Sequence, residues 1–337
     1  MSRVPLPVVP DLPREIQIEV TGACNLRCRM CLVRYRPPLH RVGGSMTLAA
    51  FKRVVDALPA LSRVTLQGLG EPLLAPDLFA MIRHASSRGV AMGFNTNATL
   101  LHRGASERLV DAGLAWLCVS IDGATAKTYE SIRDGASFEQ VTRNVAELSR
   151  VKRARGAHRP DLSIVFVAMR RNVAELPAMV RLAKDLGVPK LRVQNLSHSF
   201  DDTDPAGAYR EIRDFAEAEA LYQGPDPIAD RAFEEAEILS KELNVALRLP
   251  QRECSPPSST VASPCDWPWR SAYVRHDAKV QPCCMLMGDD RAILGDAAAR
   301  PFEDVWRGPA YAAFREALQT DTPPAVCSGC SVYRGVF

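Results

Sequence analysis

Apolar positions along this chain change period repeatedly, and the changes outline its elements. Ile16, Ile18 and Val20 alternate with Gln17, Glu19 and Thr21, the two-residue period of a strand. Leu48, Phe51, Val54, Val55 and Leu58 then recur at helical spacing behind Thr47, a residue suited to N-capping. Residues 63–68, 91–98, 115–123, 163–169 and 190–196 read as further strands. Residues 78–89, 106–113, 138–148 and 173–187 read as the helices between them, the third opened by a Ser137/Gln140 capping box.

Strict βα alternation predicts a parallel sheet with helices outside it. Six units rather than eight make it an open one: an α/β fold, a partial (β/α)6 barrel over 15–198 behind an N-terminal extension, 1–14. Chemistry in such sheets gathers at the C-terminal strand ends. Polar residues collect there in this chain. Cys24 follows the first strand and Gly-Leu-Gly-Glu-Pro (68–72) the second. Asn95 and Asn97 lie on the third, Ser120 and Asp122 on the fourth, Arg192 and Gln194 on the sixth.

The alternation stops after residue 198. Residues 199–227 are acidic with Pro and Gly near both ends, which predicts a solvated excursion or lid, and 232–243 reads as a helix. The segment 199–250 is thus an insertion and linker. Residues 251–337 form a small α+β C-terminal domain, with a hairpin in 266–284 and one helix over 302–318.

Composition narrows the class. With 47% apolar and 24% charged residues the chain has an ordinary globular balance. No apolar run approaches the roughly 18 residues of a membrane span. Prolines occupy the N-terminus where a signal peptide needs its apolar core, so an unexported, cytoplasmic protein is expected. A net charge of +3 over 337 residues leaves no nucleic-acid footprint.

In an unexported chain, ten cysteines point to metal before disulfides. Three fall in Cys24-x3-Cys28-x2-Cys31, one stands at Cys118, and six crowd the last 84 residues. Three thiolates can hold three irons of a cubane and leave the fourth open. The other reading is a zinc knuckle completed by a distant cysteine. Cys265, Cys283, Cys327 and Cys330 form two separated pairs, suited to one closed cluster or a zinc ribbon. Spacing alone selects Cys283 over its neighbour Cys284. Cys118, mid-strand, reads as a core residue.

The C-x3-C-x2-C motif after the first strand of a partial βα barrel resembles the radical S-adenosylmethionine (SAM) superfamily. The resemblance implies a [4Fe–4S] cluster on Cys24, Cys28 and Cys31 whose open iron binds SAM, and reductive cleavage of SAM to a 5′-deoxyadenosyl radical. It also implies SAM contacts from Met30, Gly68, Gly70, Glu71, Asn95, Asn97, Ser120, Asp122, Arg192 and Gln194. Glu71 would lie near the SAM ammonium, and Ser120 and Asp122 near its ribose or carboxylate. The tail, with its hairpin, Pro-Cys-Cys, Trp-bearing helix and closing C-x2-C, is similar to the SPASM/twitch extension of that superfamily, including its antibiotic-pathway dehydrogenases and epimerases. That similarity implies a second, auxiliary [4Fe–4S] cluster. Reduction of the first cluster implies a flavodoxin or ferredoxin partner.

A closed auxiliary cluster would accept an electron from the substrate radical, so dehydrogenation is the expected outcome. A thiol such as Cys254, returning hydrogen, would give epimerisation instead. Arg170 and Arg171 are candidates for an anionic substrate, and His198, Asp201 and Asp202 for proton handling. The barrel begins almost at once, without a leader-binding domain, so a small molecule (sugar, aminocyclitol or nucleoside) is the expected substrate. A peptide or protein is the alternative.

Overall fold

The computed structural model describes residues 7, 9–35, 44–196, 210–221, 226–250, 265–286, 292–328, 330 and 332–333. Ten strands form one sheet: β1 (Glu15–Ile18), β2 (Arg63–Leu66), β3 (Ala91–Thr96), β4 (Trp116–Ser120), β5 (Asp161–Ala168), β6 (Lys190–Asn195), β7 (Ala246–Arg248), β8 (Tyr273–Val274), β9 (Lys279–Gln281) and β10 (Gly295–Asp296). Their order is β10-β9-β8-β1-β2-β3-β4-β5-β6-β7. All pairs from β8 through β7 are parallel, whereas β8–β9 and β9–β10 are antiparallel. The sheet is an open barrel, as the sequence predicts, but it is longer than six strands. β7 extends one edge, and the C-terminal hairpin joins the other by pairing β8 with β1. Strands of two or three residues carry too little periodicity to be read from sequence.

Along each barrel strand one face is apolar and inaccessible: Ile16 and Ile18, Val64 and Leu66, Leu117 and Val119, Ile164 and Phe166. These side chains pack under the outer helices, each burial being worth about 1.5–3 kcal/mol. The helix Leu48–Asp56 is typical: Thr47 accepts a hydrogen bond from Ala50 N, and Phe51, Val54 and Val55 point inward. The capping box at Ser137 forms by half. Ser137 accepts from Gln140 N, but the Gln140 amide donates to Thr99 O at 3.1 Å, tying the helix to the loop after β3.

The opposite strand face carries Gln17, Thr65, Asn95, Ser120, Ser163, Arg192 and Gln194, alternating with the apolar set. A barrel whose inner face is this polar is built to hold something other than its own core.

Two readings of the C-terminal half change. The segment 302–318 is two helices, Phe302–Trp306 and Pro309–Leu318, because Pro309 cannot continue a helix and starts a new one. The acidic excursion contains a packed helix, Arg210–Glu219, whose Ala216 and Phe215 meet Ile132, Met169 and Leu196. The N-terminal extension is tied to the C-terminal domain: Trp269 Nε1 donates to Pro7 O at 2.7 Å and Trp306 Nε1 to Asp11 O at 3.0 Å.

Candidate active site

The loop carrying Cys24, Cys28 and Cys31 leaves the top of β1 and runs along residues 132–134. Arg27 N donates to Asp134 O at 3.0 Å and Arg29 N to Ile132 O at 2.9 Å. Burial raises all three thiols above their ordinary value, Cys31 to about 12, where the charge of Cys28 adds to the effect. Three thiolates therefore need compensating positive charge. One source is Arg133, 8% exposed, whose Nη1 lies 3.9 Å from Cys28 Sγ. The Asn97 amide points at Cys24 Sγ, also at 3.9 Å.

Among the described residues no three His, Cys, Asp or Glu side chains converge on a single-ion position. A zinc ion needs its sulfurs within about 2.3 Å of one point. Three soft thiolates held on one loop beside a cation fit the donor set of a cubane cluster with one iron left open.

The glycine loop after β2 closes one side. Gly70 packs against the cysteine loop so tightly that a Cβ would lie 2.6 Å from Ala23 O and closer still to Thr21 O. Gly68 faces Glu19 in the same way. Glu19 (4% exposed) accepts from Leu69 N at 3.0 Å, the Tyr273 hydroxyl at 2.9 Å and His276 Nδ1 at 2.8 Å. One carboxylate thus joins the first strand, the glycine loop and the C-terminal hairpin.

Several expected contacts are engaged elsewhere. Glu71, 3% exposed, accepts from Leu73 N, Thr96 Oγ1 and Asn97 N at 3.1, 2.7 and 2.8 Å. Burial raises its pKa against those donors. Its oxygens tie the glycine loop to the end of β3. Asp122 is fully buried: Oδ2 takes Arg133 Nε and Nη2 at 2.7 and 2.6 Å, and Oδ1 takes Val167 N at 2.7 Å. Arg133, which the sequence reading missed, caps an unpredicted helix, Ala126–Ile132, that Thr125 opens. The Thr125–Thr128 cap and the three-residue spacing of Tyr129 and Ile132 were the available signal.

Met30 packs on the Ile132/Met169/Leu196 patch. Arg170 pairs with Asp226 at 2.9 Å and Arg171 with Glu219 at 2.6 Å, fastening the two helices after β6. Arg192 lies in a cavity at the opposite, N-terminal mouth, with Arg63 and Trp116. Hydrogen-bonded rows run obliquely to a barrel axis, so position along a strand misjudges height. Asn95, Ser120 and Gln194 remain half-exposed on the inner face. His198, Asp201, Asp202 and Cys254 lie outside the described residues.

In the C-terminal domain Cys265, Cys283, Cys284 and Cys330 sit within electrostatic reach of one another. Burial first, then the neighbouring thiols, raises Cys283 well above its ordinary value and Cys284 to about 12. Cys330 N donates to Cys327 O at 3.1 Å, forming the turn of the closing C-x2-C. This set suits a second cluster.

Residues 18–183 match the family model of the radical SAM superfamily, and residues 265–331 match that of the SPASM iron–sulfur cluster-binding domain. The chain belongs to the radical SAM superfamily. As a radical SAM enzyme it uses a [4Fe–4S] cluster with SAM, and its SPASM domain brings an auxiliary cluster.

Over 94% of its length it is 25% identical to the tungsten-containing aldehyde ferredoxin oxidoreductase cofactor-modifying protein of Pyrococcus furiosus, covering 87% of that protein. It is 29% identical to the PqqA peptide cyclase of Bradyrhizobium diazoefficiens, over 56% of this chain and 49% of that one. The fold is shared with SuiB of Streptococcus suis bound to SAM: TM-score 0.69 at 16% identity, with 96% of this chain and 71% of SuiB covered. Among the described residues no helix is long and apolar enough to cross a membrane.

Proposed function

We propose that this radical SAM enzyme modifies a peptide segment, with Cys24, Cys28 and Cys31 holding the SAM-binding cluster and Cys265, Cys283, Cys327 and Cys330 the auxiliary one. The observation that carries the radical reading is the three-thiol loop wedged between Arg133 and the Gly70 turn. When bound, the first cluster and SAM supply the radical that abstracts hydrogen from the substrate. The protein's own groups hold and aim. Arg133 balances the Cys28 thiolate, Asn97 orients toward Cys24, and Glu71 fixes the loops on which both stand. Asn95, Ser120 and Gln194 line the reaction chamber.

The substrate class is supported from two sides. A relative named as a PqqA peptide cyclase points to a peptide rather than to the free sugar, aminocyclitol or nucleoside expected from sequence. The inner face of the barrel carries polar side chains, and a cavity of about 600 Å³ lies at its lower mouth. An extended chain, at about 3.3 Å per residue, would span the step from Gln194 to Arg192 with about two residues. A relative matched over 94% of this chain is named for cofactor modification, which makes a cofactor precursor the competing substrate in the test.

The test is anaerobic. Reconstituted protein with SAM and a strong reductant should form 5′-deoxyadenosine, and a Cys24/Cys28/Cys31→Ala variant should form none. Incubation with peptide, cofactor-precursor and sugar pools in D2O then reads the product by mass. Loss of two hydrogens marks dehydrogenation, and uptake of one deuterium without other change marks epimerisation. Wild type loaded with zinc and inert toward SAM would end the radical reading. Modification confined to the cofactor or sugar pool would end the peptide one.

A further inference from the structure

The cavity at the lower, N-terminal mouth of the barrel lies at the strand ends opposite the cysteine loop, and its composition is one-sided. Arg63, Arg159, Lys190, Arg192 and Arg248 line it, against a single lining carboxylate among the described residues, Asp161, which pairs with Lys190. Arg63 stacks on the Trp116 ring, 3.5 Å from its centroid, and Gly93 makes that possible because any Cβ there would overlap the indole. Arg159, Arg192 and Arg248 have no ion-pair partner among the described residues. Arg192 and Arg248 are directly in register across β6 and β7, so two guanidinium groups share one wall. Like charges side by side repel one another, and an arrangement of this kind is stabilised by an anion between them.

The cavity continues the inner face of the barrel. Gln194 stands one inward-facing step above Arg192, and Ser120 one above Cys118, which also lines the cavity. A step is two residues, roughly 7 Å. The arginines and the upper-chamber residues thus lie along the same strands, about one such step apart.

We propose that this mouth is a carboxylate-binding subsite that holds an acidic stretch of the substrate while the reacting segment lies above it, next to Asn95, Ser120 and Gln194. This rests on the peptide reading for the source of the carboxylates, but the subsite itself does not. Arginine forks match planar carboxylates in pairs, and Trp116 gives the aliphatic stems of Glu side chains a surface to lie on.

Calorimetric titration of the reconstituted full chain tests it, without SAM turnover. The probes are N-acetyl-Ala-Glu-Glu-Ala-amide, its Gln-Gln analogue, citrate and inorganic phosphate. The proteins are wild type, an Arg192→Gln/Arg248→Gln variant and, as a control for loss of positive charge away from the cavity, Arg83→Gln on the outer helix surface. Thermal melts check that each is folded. Should the double variant not fold, Arg159→Gln takes its place.

The Glu-Glu peptide is expected to bind wild type and the control, to weaken as salt rises, and to lose about tenfold or more in the variant, as charged hydrogen bonds lost at two sites imply. Citrate binding with the same variant loss, but no peptide binding, upholds the subsite and assigns it to a small polycarboxylate. Equal binding of the Glu and Gln peptides, or affinity untouched in the variant, overturns the proposal. So does phosphate binding alone, or no binding by a wild type that still forms 5′-deoxyadenosine. That last result leaves the radical reading standing.

Discussion

Arg133 stands between Asp122 and Cys28: two of its nitrogens lie within 2.7 Å of one Asp122 oxygen, and the third faces the cysteine sulfur at 3.9 Å. A buried carboxylate therefore holds a buried cation against a thiolate that ligates the first cluster under the proposed assignment. A cation at this place favours the more negative, reduced state of the site. It also lets three thiolates share a low-dielectric pocket.

Replacing Arg133 by Gln is expected to shift the potential of the first cluster roughly tens of millivolts more negative. It should also cost about 3 kcal/mol of stability, because Asp122 is left buried and uncompensated. Arg133→Lys keeps the charge but not the two-nitrogen hold on Asp122, so its potential should stay nearer wild type while stability still falls. EPR-monitored redox titration and urea denaturation read the two effects separately. An unchanged potential in Arg133→Gln would show that the cation serves only the fold.

The barrel was legible because its outer face is apolar at strict two-residue intervals and its helices begin at recognisable caps such as Thr47 and Ser137. The cysteine loop was legible because thiol spacing is a local property. The destinations of the charged groups were not. Asp122, Glu71 and Arg170 each look available along the chain, and each is consumed by a partner brought in by tertiary structure: Arg133, the Thr96–Asn97 turn and Asp226. Arg192 was misplaced for a different reason, since barrel stagger carries equivalent strand positions to different heights. The link through Glu19 to Tyr273 and His276 spans more than 250 residues and leaves no trace in any local pattern.

The two glycines of the loop after β2 differ in what they touch, and so should their variants. A methyl at Gly70 meets backbone oxygens on both sides, Thr21 O and Ala23 O, which cannot turn aside. A methyl at Gly68 meets the Glu19 side chain. Gly70→Ala should displace the cysteine loop and lose most of the iron bound there, while Gly68→Ala should keep iron and lose stability. Iron quantification in a background lacking the auxiliary cysteines checks this, and equal iron loss in both variants would contradict it.

The adjacent Cys283 and Cys284 can be told apart by metal content. Cys283 packs into the small core with Trp269, Leu286 and Phe314, and its surroundings include Cys265, Cys284 and Cys330. In a Cys24/Cys28/Cys31→Ala background, Cys283→Ala should abolish the auxiliary cluster's absorbance and iron. Cys284→Ala should retain both. The reverse pattern would move the ligand by one residue and leave the spacing argument wrong.

Glu19 supplies a pH dependence with a definite sign. Burial alone would raise its carboxyl, but the hydrogen bonds from His276, Leu69 and Tyr273, with the His276 charge, take it below its ordinary 4.5. The folded protein therefore binds this proton less tightly than the unfolded chain does. The carboxylate's contribution is complete above about pH 4.5 and is lost as pH falls through the lower folded value. At pH 7, Glu19→Gln should cost about 2 kcal/mol, since the hydrogen bonds at this charged, buried acceptor are weakened together. Below the folded value the two proteins should converge, because wild type is then protonated as well. Urea midpoints for both proteins at pH 7 and across pH 5 to 3 measure the gap. A gap that stays constant over that range would mean that Glu19 joins strand, loop and hairpin by shape, and that its charge contributes nothing.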